Sequence, residues 1–432
     1  MTGFKDIATA FSKQHPAFLF VCLFLVMEYN KLQHVYPIID VIPWGQVTLL
    51  LPFLFAFADR DSRLPPSAAV TPVMAMGACT LLSIAFAFSP DTSLDNWQRF
   101  ASPLLMVLLL TSIIRTRERI FLFMVVYYLV NLKMAQHGFR TWAGRGFDFA
   151  DWGATGSPVW FQNSGEFGMQ MSIFLPFVLA MIAAFRKDWS MPVRWLFYAI
   201  AIMAAGSILA SSSRGALVGM GAVGIWLLMY SRHRVRALLF VAVAALIVVA
   251  VLPDAFKARL MESGEDGTSV SRLLYWEYAI ATANNHPITG VGFFNWPTYA
   301  NFHYPELRGV AGGHGGGAVE VVHNTYLEAA SDLGWLGLSI YVAIILQIVI
   351  MNRRSAKAAT QSGDRFLAAV AHGTNGGMLS YLITSAFMSV LWYPVIWMLL
   401  IFTVSVSTVV KNQNESKDDL VPKKRPPVYL HG

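Results

Sequence analysis

Charge is scarce in this chain. Of 432 residues only 13% are Asp, Glu, Lys or Arg, while 56% are hydrophobic. Soluble domains carry about a quarter charged residues, so a soluble class is excluded and a polytopic membrane protein is expected. Cysteine is nearly missing: Cys22 and Cys79 both lie inside apolar runs without metal-type spacing, which implies packed thiols and neither a disulfide nor a zinc site. No sequence repeat of fixed period and no clear inverted repeat stands out. No small-residue cleavage site follows the first apolar run, so MTGFKDIATAFSKQHP leads into a first span rather than a removed signal peptide. Ionisable side chains are nearly absent within the runs, with Glu28 and Glu166 at span ends. A proton or ion path through a bilayer needs such groups, which speaks against a transporter of lipid-linked sugars.

What is abundant is apolar length. Windows of roughly twenty residues predict twelve spans, near 16–30, 41–58, 67–88, 97–114, 120–135, 165–185, 193–210, 215–230, 237–252, 329–350, 366–388 and 391–410. An all-α membrane domain over 1–410 follows. With the N-terminus inside, the short inner connections hold fifteen Lys and Arg, and the short outer ones only Lys31, Arg99 and Arg214. That asymmetry orients the chain with both termini in the cytoplasm. It also accounts for the net charge of +7 without a nucleic-acid partner. The tail 411–432, polar and basic at its end, reads as disordered and lipid-facing.

Two outer connections are long, about 133–165 and 253–328. The second holds most of the candidate chemistry. Arg272 starts SRLLYWEYAI, whose Leu273, Leu274, Trp276, Ala279 and Ile280 suit an amphipathic helix against the bilayer surface. His323 stands before TYLEAASDLGWLGL, close to where the chain re-enters the membrane. Arg214, in SSSRG, lies in a very short outer turn. Each has a plain and a functional reading. Arg214 is either a snorkelling anchor or an anion contact, with Ser213 beside it, Gly215 open to a ligand and helix-start amides free for a phosphate. Arg272 is either a solvated helix-start charge or a second fork; two guanidinium forks match a diphosphate. His323 is either a structural polar contact or a base that takes a hydroxyl proton near neutral pH.

Weaker candidates are the DxD pattern of Asp59 and Asp61, read as a solvated turn among cytoplasmic arginines, and Glu166, a secondary base or a polar lining residue. Phe293, Phe294, Trp296, Tyr299 and Tyr304 would stack on sugars or, as the default, anchor in the lipid interface. His314, among glycines, reads as too mobile to catalyse alone.

Taken together, Ser213-Arg214-Gly215, Ser271-Arg272-Leu273 with Trp276, Pro287 with Gly290 to Trp296, and His323-Asn324 with Tyr326, Leu327, Glu328, Gly334 and Gly337 resemble the O-antigen ligase and polymerase superfamily. The resemblance is specific from about Ser211 to Leu338. It implies a GT-C-like, metal-independent glycosyltransferase of the Gram-negative inner membrane, without cofactor and with a periplasmic site. The donor it implies is a glycan on undecaprenyl diphosphate; for a ligase the acceptor is a sugar hydroxyl of lipid A core, for a polymerase a second lipid-linked glycan. Arg214 and Arg272 would hold the diphosphate and His323 would activate the acceptor, with Ser213, Trp276, Asn324 and Tyr326 as further substrate contacts. A single displacement would invert the anomeric centre.

Overall fold

The structure is a computed structural model and describes residues 4–149, 153–231, 233–261, 267–308 and 318–420; His314 lies outside them. The described residues are largely helical and contain no strand. Each of the twelve expected spans coincides with a helix: Pro16–Asn30, Trp44–Ala56, Ser67–Ala85, Trp97–Ile113, Arg117–Gly144, Ser164–Phe185, Met191–Ala210, Arg214–Tyr230, Arg234–Val251, Thr325–Ser362, Arg365–Thr384 and Pro394–Leu420. Among the described residues, six helices are long and apolar enough to cross a membrane, and the Lys5–Ser12 and Pro16–Asn30 pair, bent by 118°, would make a seventh. Trp44–Ala56, Trp97–Ile113 and Arg214–Tyr230 are apolar but shorter. The chain is a polytopic helical membrane protein.

Short polar residues start many of these helices by accepting the amide hydrogen bonds that a first turn cannot make for itself. Thr116 accepts from Arg119, Asn163 from Gly165, Ser213 from Ala216, Asn324 from Tyr326 and Leu327, and Asp364 from Phe366 and Leu367. Three boundaries differ from expectation. The Arg117–Gly144 helix runs nine residues beyond 135, which shortens the first outer connection. Pro394–Leu420 continues ten residues into the segment expected to be a disordered tail. Thr325–Ser362 is broken at Gly334, where φ is 74° and ψ 177°.

Two ends of the bundle can be told apart by their contacts. At one, the connections rich in Arg and Lys meet: Arg117 pairs with Asp364 at 2.7 Å, Arg365 with Asp188 at 2.8 Å, and Arg115 donates to the Leu64 carbonyl. The centre of that end is Arg119, buried, whose two terminal nitrogens fork onto both oxygens of Asp59 at 2.6 and 2.9 Å. Its Nε donates to Gln14, and Nη1 also donates to the Ile113 carbonyl. Asp59 is therefore no solvated turn residue. It is buried and committed to an arginine that ties the N-terminal segment and two connections together, and only Asp61 keeps the exposed position expected of the DxD pair.

Breaking such a pair strands a buried charge, so Arg119→Ala should cost about 3–5 kcal/mol, read as a large drop in melting temperature of detergent-purified protein. Burial alone would raise the Asp59 carboxyl, but the Arg119 fork and the Ser62 hydroxyl outweigh it and hold it down to about 2. A depressed carboxyl contributes fully above its unfolded value and loses that contribution as pH falls through the folded one. Thermal stability should therefore decline between about pH 4 and 2, and Asp59→Asn should flatten that decline while lowering the plateau.

Close packing of the middle helices sets the opposite end. A Cβ on Gly168 would lie 2.5 Å from Ala216 and Ser211, and one on Gly219 2.4 Å from Thr384. Small residues let helices in an apolar medium approach closely and gain dispersion contacts. Here they hold the Ser164, Arg214 and Arg365 helices together and bring the Ser211–Gly215 turn under the other motifs.

Candidate functional site

The Arg214 turn is built from its serines. Ser211 is buried and its hydroxyl donates to the Ile208 carbonyl; Ser212 takes a left-handed φ of 49°; the Ser213 hydroxyl caps the Arg214–Tyr230 helix. Arg214 is thus the first residue of a helix, half-buried, at the positive end of the helix dipole. The first outer connection closes over it: the Ala154 amide donates to the Ala210 carbonyl at 2.7 Å, and Gly153 lies so close to Ser211 that a Cβ there would fall 1.9 Å from its carbonyl oxygen.

Arg272 is half-buried near the start of the Gly267–Asn285 helix. Tyr275, Ala279 and Ala283 are buried, while Leu273 and Ile280 are exposed, so the amphipathic helix exists and turns an aromatic and small-residue face inward. The Trp276 indole donates to the Val322 carbonyl at 3.1 Å, which ties this helix to the residue before His323.

The Pro287–Trp296 stretch is held by the break in the Thr325 helix. A break at Gly334 leaves the Ser331 and Asp332 carbonyls without their helical donors. Val291 and Gly292 amides and the Ser83 hydroxyl fill them, at 2.9, 3.2 and 2.7 Å. The buried Asp332 carboxylate accepts from the Phe294 and Trp296 amides at 3.0 and 2.9 Å, capping the start of Trp296–His303. Phe293, Trp296 and Tyr299 are buried core residues and not lipid-interface anchors, because this clasp pulls their backbone inward; only Phe294 and Tyr304 stay half-buried. Gly290 has φ 62° and its Cβ would meet the Asp332 carbonyl carbon at 2.3 Å. Gly290→Ala should cost about 1–3 kcal/mol in backbone strain alone, before the clash, visible as faster limited proteolysis of the 253–328 connection.

His323 takes a left-handed φ of 54°, and its amide donates to the Ser389 hydroxyl at 3.1 Å. Its Nε2 lies 3.1 Å from a Glu320 carboxylate oxygen. A carboxylate only accepts, so in the neutral ring this contact selects the tautomer with its proton on Nε2 and Nδ1 as the acceptor, the arrangement a general base requires. Asn324 caps the helix that follows, and the Tyr326 hydroxyl donates to the Leu382 carbonyl at 2.8 Å.

These pieces meet on one stretch, Ser385–Tyr393, at the junction of the last two expected spans. Trp276 packs on Phe387 with ring centroids 6.4 Å apart. Cβ atoms on Gly215 and Gly165 would both touch the Met388 side chain. The Thr325 hydroxyl donates to the Met388 carbonyl at 2.6 Å, Ser389 takes the His323 amide, and the Leu391 amide donates to buried Glu328. The neighbours of Arg214, Arg272 and His323 thus lie on residues 387–389, at the end of the bundle away from the Arg119 cluster.

Beside them, the Tyr393 hydroxyl donates to Glu166 at 2.9 Å, and the Trp160 indole donates to Glu28, itself paired with Lys31. Glu320, Ser389 and Tyr393 were missed from sequence. Glu320 is only three residues from His323 and was findable as its i−3 neighbour. Ser389 falls in the two-residue gap between the last two apolar runs and Tyr393 just inside the last of them, where hydropathy does not distinguish a site residue from a span end. Glu328 and Asp332, buried at the start of a span, qualify the near absence of intramembrane charge; both answer to backbone amides at the site end.

An integral membrane protein with two arginine-bearing motifs and a carboxylate-oriented histidine gathered at one end of a helical bundle is the class that this arrangement defines. Residues 199–342 match the family model Wzy_C, described as O-antigen ligase. The matched segment includes Arg214, Arg272, His323 and the Gly290–Gly334 clasp; Glu166, Ser389 and Tyr393 lie outside it. No curated protein matches the chain.

Proposed function

We propose that the protein is an O-antigen ligase of the Gram-negative inner membrane, which transfers a glycan from undecaprenyl diphosphate to a sugar hydroxyl of lipid A core on the periplasmic face. The observation that carries the reading is the meeting of the Arg214, Arg272 and His323 surroundings on residues 387–389. In this reading twelve helices cross in a GT-C-like arrangement, and the Arg119 end, rich in positive charge, is cytoplasmic. The 1–410 region is the catalytic domain.

Arg214 and Arg272 grip the twin phosphates, and Ser213, Trp276, Asn324 and Tyr326 frame the pocket. His323 Nδ1 removes the proton of the acceptor hydroxyl as its oxygen attacks the anomeric carbon. The bond to the diphosphate oxygen breaks, and the charge that gathers on the leaving group is stabilised by the two guanidiniums more than the ground state is. One displacement inverts the centre, and the fixed positive charge takes the place of a divalent metal.

Reconstitution of purified protein with undecaprenyl-diphosphate glycan and lipid A core tests this directly. Glycosylated lipid A core should appear at a rate that chelator leaves unchanged. Cells lacking the protein should show core without any O-antigen; single repeat units retained on the core would instead make it the polymerase. Vesicle transport of lipid-linked donor without a transfer product would make it a transporter.

A further inference from the structure

Arg99 is one of the three basic residues of the short outer connections, and nothing above uses it. It is exposed, and its guanidinium stands over the Phe294 ring at 4.7 Å. Among the described residues no carboxylate pairs with it. The ring beneath is held in place by the Asp332 clasp through the Phe294 amide, so the guanidinium rests on a rigid platform. One residue along, Phe100 packs against Phe293 and Trp392, at 5.9 and 6.0 Å, which sets Arg99 beside the end of the Ser385–Tyr393 stretch. Its charge acts on the Tyr393 hydroxyl. That hydroxyl donates to Glu166, and the Tyr393 ring packs on Trp160 at 5.0 Å. Glu166, Tyr393 and Phe294 are half-buried and so keep an open side.

We propose that Arg99, Phe294, Tyr393 and Glu166 form the acceptor subsite, recognising a saccharide that carries an acidic group. The chemistry is that of a charged sugar. A planar guanidinium takes a phosphate or carboxylate through two parallel hydrogen bonds, and a carboxylate paired with a phenol has lone pairs left for sugar hydroxyls. The placement favours acceptor over donor. Along one stretch of chain, Phe387 and Met388 adjoin the two arginine motifs, Ser389 holds the histidine backbone, and Trp392 and Tyr393 adjoin this platform. Gly165, just before Glu166, packs against Met388 and near Ser213, so the platform borders the donor motif with the histidine backbone held on the same stretch, as a site for the attacking hydroxyl must. The assignment rests on the glycosyltransferase reading above, and Arg99 is an acceptor-binding residue in it.

The test is steady-state transfer by the full chain in nanodiscs, with lipid A core and lipid-linked glycan varied separately, for wild type, Arg99→Ala, Arg99→Lys and Glu166→Gln. For Arg99→Ala the acceptor KM should rise about tenfold or more, the loss of one charge-assisted contact, with kcat and donor KM near wild type. Arg99→Lys should recover part of the loss, and Glu166→Gln should raise the acceptor KM as well. Binding of lipid A core without donor should weaken in parallel. An Arg99→Ala enzyme with an unchanged acceptor KM overturns the subsite, as does a rise confined to donor KM, which would put the acidic group on the donor glycan. Failure of the underlying reading looks different: the wild-type protein would then give no transfer product at any acceptor concentration.

Discussion

Replacing His323 by asparagine should lower glycan transfer by about 10²- to 10⁴-fold, the usual contribution of a positioned general base. Asparagine is the informative choice because the backbone at this position has φ 54°. Asn tolerates the left-handed region, whereas alanine there adds strain that could be mistaken for lost chemistry. His323→Ala should be equally inactive but less stable. The amide bond to Ser389 belongs to the backbone and survives both changes, so membrane insertion and melting temperature of the Asn variant should stay near wild type. Glu320→Gln should give a smaller loss, because an amide at 3.1 Å can still orient Nε2 but cannot stabilise an imidazolium. A His323→Asn protein that transfers at the wild-type rate would remove the base from the mechanism, and the acceptor would then need Glu166 or water instead.

Arg214→Ala and Arg272→Ala should each reduce kcat/KM for the lipid-linked donor by roughly 10²–10³, comparable to removing one donor from a charge-stabilising site. If the guanidiniums grip the leaving group, most of the loss falls on kcat, since the charge they meet grows in the transition state. Lysine should rescue either position poorly: an ammonium is a point charge and cannot supply two parallel bonds to neighbouring oxygens. The two sites should also be non-additive in a double variant, because they share one ligand. Titration with undecaprenyl diphosphate alone supplies a second readout, and its affinity should fall in both single variants. Independent, additive effects with unchanged diphosphate affinity would separate the arginines and end the shared-ligand role.

The reach of local reasoning varied from motif to motif. Helix positions were legible because a run such as Phe174 to Ala184 leaves the backbone no alternative in an apolar medium but to satisfy itself. Ends were less so, since the Arg117 helix continues through Lys133, Gln136, His137 and Arg140, which hydropathy scores as loop. The Asp59–Asp61 pair illustrates the opposite failure. Its sequence neighbours are exposed arginines, yet its partner is Arg119, sixty residues away and buried. The aromatic run at 293–304 was misread for a similar reason: its placement depends on a carboxylate thirty-odd residues further on, and no window joins the two.

By itself, the order of apolar runs and the bias of Lys and Arg between connections determined a polytopic helical protein, its expected orientation and the three residues on which its chemistry is staked. Each of those is a property of a short window, and the free energy of placing a window in lipid is nearly a sum over its residues. Only the tertiary structure decided that the three surroundings share residues 387–389, that the break at Gly334 exists to clasp the Gly290 turn, and that Arg99 leans over Phe294 toward Tyr393. Those follow from close approach between helices far apart in the chain, where packing and paired backbone groups carry the energy and hydropathy is silent.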